Sequence, residues 1–179
     1  MDRRTFFVTM ALSALAPGVV HAQTRAPAGP PANAQTPEQI VRWIYAEAVK
    51  RDSSGGQNGG TIFGGAKGPI RRLFSTAFLR EWDAAQARIK KSGDMGLDFD
   101  PVSNSQDPAI GRVTYTVEST SADKSTVGAT FGSLHEPKAK PQTIRYDFVR
   151  EGGAWKIDNI RGNVENDSWS MRELMKEWK

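Results

Sequence analysis

Cysteine is missing from all 179 residues of the chain. That absence removes thiol nucleophiles, cysteine-held iron–sulfur clusters, disulfide staples and an acylated lipoprotein cysteine, and leaves burial as the source of stability. Histidine is nearly missing too, with only His21 and His135. A histidine-rich zinc site is excluded, and a Ser-His-Asp triad beyond residue 22 would have to use His135. His135 stands in Ser133-Leu134-His135-Glu136-Pro137, which reads as a strand end running into a turn, hence a surface position. Long apolar runs are lacking as well. The longest, Phe6 to Val20, falls short of the roughly 20 residues that span a bilayer, so no permanent transmembrane anchor is expected.

Charge of one sign is not concentrated anywhere. Lysine plus arginine number 24 against 20 aspartate plus glutamate, a formal charge of +4. Adjacent basic pairs such as Arg71-Arg72 and Lys90-Lys91 fall in a helical pattern whose plain reading is a solvated face, so nucleic acid is not an expected partner. Gly64-Gly65-Ala66-Lys67-Gly68 resembles a phosphate loop only superficially. Lys67 is followed by Gly68 and Pro69 where that motif needs Ser or Thr, and no strand precedes it. The whole stretch Ser53 to Gly68 reads as a flexible loop, and no cofactor is expected.

What is present begins with an export signal. Arg3 and Arg4 precede the apolar run, and Val20-His21-Ala22 offers a small-x-small cleavage pattern, so residues 1–22 read as a signal peptide cut after Ala22. Arg3-Arg4 followed by Phe6-Phe7 partly matches a twin-arginine leader, although Asp2 and the missing lysine depart from it. The expected location is the bacterial periplasm or the outside. Gln23 to Gln35, rich in alanine and proline, reads as a disordered tether, and 36–179 as one domain.

Within that domain Thr36-Pro37-Glu38-Gln39 supplies a helix start. Ile40, Val41, Ile44, Tyr45, Ala48 and Val49 then share one face. Pro69 opens a second helix expected to run to about Lys91, with Leu73, Phe74, Phe78, Trp82, Ala85 and Ile89 at helical spacing. Four segments then alternate like strands, around Tyr115, Ala129, Tyr146 and Ile157. Ser121 to Asp123 and Glu151-Gly152-Gly153 fit hairpin turns. Ser170-Met171-Arg172-Glu173 caps a short closing helix whose apolar stripe ends at Trp178. The fold class is therefore α+β: a curved antiparallel sheet of about four strands packed by two N-terminal helices and a short C-terminal one.

Chemistry concentrates in the loop Asp98 to Asp107, the densest cluster of acidic and amide groups. It can be read as a calcium loop, an acid/base pair, or a structural loop whose side chains bond their own backbone. EF-hand spacing fails at Val102 and Ser103. Asp100-Pro101-Val102 with Ser105-Gln106-Asp107, followed by Trp155-Lys156-Ile157-Asp158-Asn159-Ile160 and a closing helix, resembles the bacterial domain-of-unknown-function family 3828 over about Pro37 to Lys179. The resemblance implies small exported proteins with the cone-shaped fold of the nuclear transport factor 2-like, or cystatin-like, superfamily. It brings no established activity. The leading expectation is non-enzymatic binding of a small ligand or an envelope protein, with Asp100, Gln106, Asp107, Tyr115 and Tyr146 as ligand-binding candidates. The alternative is an enzyme of the cone superfamily, with Asp100 or Asp107 as general base and Tyr115 or Tyr146 as hydrogen-bond donor.

Overall fold

A computed structural model describes residues 36–53, 69–164 and 167–179. The leader, the tether and all but the first residue of the glycine-rich stretch lie outside these residues.

Helix α1 (Pro37–Ser53) starts at a reciprocal box: Thr36 Oγ1 accepts from the Gln39 N–H and Gln39 Oε1 accepts from the Thr36 N–H, both at 3.2 Å. Ile40, Val41, Ile44, Tyr45 and Ala48 are buried as the spacing requires, whereas Val49 is 39% exposed at the margin of that face.

The second helix departs from expectation. Pro69–Leu73 forms a 3₁₀ turn, and α2 (Thr76–Ser92) begins only after Ser75. Ser75 is extended. Its N–H donates to the Ile157 carbonyl, and its hydroxyl accepts from the Phe78 N–H at 2.9 Å as the N-cap. A contact to a distant strand thus divides a helical pattern that sequence alone reads as continuous. Gly93, at φ +80°, ends α2 in the left-handed conformation that favours glycine.

The sheet is a five-stranded antiparallel meander, not closed into a barrel: β1 (Thr114–Thr120), β2 (Lys124–Phe131), β3 (Gln142–Glu151), β4 (Ala154–Val164) and β5 (Asp167–Ser170). The fifth strand is one more than the sequence indicates. It offers four residues with the single apolar Trp169, too few to display alternation. Helix α3 (Met171–Glu177) follows at once, Ser170 accepting from the Glu173 N–H as N-cap. The apolar face of the sheet, Val127, Ala129, Phe131, Ile144, Tyr146 and Phe148 at its centre, is buried beneath the helices. Helix α1 lies against β1 and β2, while α2 and α3 lie against β4.

Two register shifts bend the sheet. In β1, Glu118 is the extra residue between Val117 and Ser119, and its carboxylate reaches Arg145 of β3 at 2.9 Å. That pair crosses β2 at Gly128, where a Cβ would sit 2.9 Å from Glu118 Oε1. In β4, Asp158 is the extra residue, so Ile157 and Ile160 both point into the core. Asp158 accepts from the Ser75 hydroxyl at 2.6 Å and from Arg172 Nη2 at 2.7 Å, while Arg172 Nη1 also holds Glu81. This bulge therefore ties the start of α2, the middle of β4 and the start of α3 together.

Candidate functional site

The five candidate residues separate into two places. The buried Tyr146 and the half-buried Tyr115 both meet Tyr45, so all three tyrosines of the chain share one cluster. The Tyr45 ring lies 5.4 Å from that of Phe131 and 6.3 Å from that of Tyr146, filling the space between α1 and the sheet. The Tyr45 hydroxyl donates to the Val102 carbonyl at 2.9 Å. The Tyr146 hydroxyl is buried with no hydrogen-bond partner of good geometry among the described residues. Burial first, and the neighbouring phenols and Asp100 after it, push Tyr45 well above the ordinary phenol range. Burial does the same to Tyr146. Tyr115 is raised less simply, since burial lifts it while Arg42, whose guanidinium lies 4.3 Å from the ring centroid, opposes the rise. These phenols hold their protons, so they are donors rather than bases.

Asp100 is 6% exposed at the edge of this cluster. One carboxylate oxygen accepts from the Val102 N–H and the other from Arg51 Nη2, each at 2.8 Å. Its own N–H and carbonyl close a short turn with Ser105 and Asn104. Asp100 thus anchors its loop to the end of α1.

Asp107 lies elsewhere, in an open groove of about 960 Å³ at the end of the sheet where β2 and β4 finish and β3 begins. Its walls are the loop after Asp100 and the connection between β2 and β3. Asp107 and His135 face each other from these walls at 3.4 Å, with side chains 89% and 60% exposed. Such exposure leaves the pair little net energy. Gln106, also exposed, sits beside Asp107 but is not part of the lining.

The groove floor is a chain of amides. Asn104 Nδ2 donates to Gln142 Oε1 at 2.9 Å and to the Asn163 carbonyl at 2.8 Å, and Gln142 Nε2 donates to the Ser103 carbonyl at 2.8 Å. Asn104 Oδ1 accepts from the Trp169 indole at 2.8 Å. No family model, curated protein or solved structure matches this chain. Among the described residues no three carboxylate or imidazole groups gather as a metal site, and no helix is long and apolar enough to cross a membrane.

Sequence reasoning missed Tyr45, Arg51, Asn104, Gln142 and Lys140 as members of these two places. Tyr45 reads as one more apolar position of α1. Gln142 and Lys140 carry no local signal, because their role comes only from the return of β3 beside the Asp98–Asp107 loop.

Proposed function

We propose that this chain is an exported periplasmic protein whose domain binds a small ligand or an envelope protein partner in the groove, without catalysis. The observation that carries the reading is the groove itself. Its volume lies near the top of the range of about 300–1,000 Å³ that ligand sites occupy, and its floor is held by mutually bonded amides before any ligand arrives. The export signal supports the location, and the resemblance to family 3828 and its cone-shaped superfamily belongs to the same proposal. Against a catalytic role, Asp100 is committed to Arg51 and the Val102 N–H. The enzyme alternative keeps one favourable observation, the approach of His135 to Asp107 inside the groove.

The test is native mass spectrometry of the protein recovered from the periplasm of its own cells. A bound mass that disappears in the charge-reversed variant Asp107→Lys with Lys140→Glu supports the reading. Recovery from the cytosol overturns export, and a bare protein with no bound mass overturns groove binding.

A further inference from the structure

Hydrogen-bond directions through the groove floor are fixed from one end. The Trp169 indole can only donate, so the Asn104 oxygen must face it and the Asn104 NH₂ must face Gln142. The Ser103 carbonyl can only accept, so the Gln142 NH₂ faces that carbonyl. A glutamine amide carries two N–H donors and two acceptor lone pairs. Among the described residues Gln142 uses one of each. One donor and one acceptor therefore remain on the same rigid plane, on a side chain that lines the groove.

We infer that the groove takes an extended stretch of polypeptide, one of whose residues pairs its own main-chain N–H and C=O with the side-chain amide of Gln142. This rests on the reading of the groove as a binding site. An extended residue turns its own N–H and C=O to the same side, which is the complement of what Gln142 has left. Polypeptide side chains of both signs also find partners here. Lys140 and Glu136 line the groove and make no ion pair with any described residue, and Asp107 adds a second carboxylate. A sugar chain fits less well. Sugar sites commonly use an exposed aromatic face, and Phe131, the phenyl ring in this lining, is 2% exposed.

The purified protein is tested by fluorescence anisotropy against short, capped, labelled peptides of varied sequence and against a matched set of neutral oligosaccharides. The best peptide is then N-methylated one position at a time. Binding of capped peptides is expected, with about a tenfold loss at one N-methylated position and little loss elsewhere. This scan uses the unaltered protein, so the folding defect of a variant cannot imitate it. Lys140→Glu, at an exposed position, is expected to change which peptide charges are preferred. Oligosaccharide binding without peptide binding overturns the inference while leaving the binding reading intact. Failure of both sets overturns the inference, while the binding reading stands or falls on the bound mass in native mass spectrometry, and a flat N-methyl scan overturns the role of Gln142.

Discussion

Trp169 Nε1 donates to Asn104 Oδ1 at 2.8 Å across 65 positions of sequence. The contact joins the last strand to the polar loop after α2. It works because Gly162 leaves room for the indole, the space a Cβ would need being 2.6 Å from the ring. Asn104 itself holds φ at +55°, the one described non-glycine residue in the left-handed region, which asparagine tolerates better than other side chains.

Asn104→Ala is expected to destabilise the protein by about 2–4 kcal/mol, because it strands the indole N–H and loosens Gln142 while keeping an unfavourable backbone angle. Asn104→Gly loses the same bonds but relieves the backbone, so it is expected to be about 1 kcal/mol less harmful. Urea unfolding of both variants measures the difference. Equal losses would show that the backbone angle contributes nothing.

Asp158 and Arg172 make a partly buried ionic contact that also engages Ser75 and Glu81. Asp158→Ala is expected to cost about 1–3 kcal/mol, since the guanidinium keeps its burial and loses an anion. Replacing both, Asp158→Ala with Arg172→Met, is expected to cost less than the two single losses combined. Thermal unfolding of the double-mutant cycle checks this, and strict additivity would refute the coupling.

The tyrosine cluster sets an alkaline limit. An unfolded tyrosine ionises near pH 10, whereas burial keeps Tyr45 and Tyr146 protonated above that value. Above about pH 10 the folded state therefore holds more protons than the unfolded one, and stability falls as pH rises, by up to about 1.4 kcal/mol per pH unit for each tyrosine. Phenolate absorbance of these two should appear together with the loss of circular dichroism. Gradual ionisation of all three tyrosines in a still-folded protein would contradict the cluster.

Two hydroxyl deletions separate the members of that cluster. Tyr45→Phe loses the bond to Val102 and is expected to cost about 1 kcal/mol, while Tyr146→Phe removes a buried hydroxyl that makes no hydrogen bond of good geometry and is expected to be neutral or mildly stabilising. Urea midpoints of the two variants decide the order.

Some of this was legible along the chain. The start of α1, the alternation of β2 and β3, the glycine turn at Gly152-Gly153 and the cap at Ser170 all depend on neighbours within a few residues, whereas in β1 only Tyr115 turns inward and Val117 is exposed. The split at Ser75 and the bulge at Asp158 were not, because each answers to a partner more than 80 positions away or on another strand. The loop Asp98 to Asp107 was legible as polar, but not as two separate places.

The sequence by itself determined an α+β meander, since helical and strand periods and caps are local properties of the chain. Only the tertiary structure decided that Asp100 anchors a loop, that Asp107 lines a groove and that Tyr115, at the margin of the core, meets the same Tyr45 ring as the buried Tyr146. Those roles depend on burial and on which distant groups arrive beside each side chain, and neither is written in the order of residues.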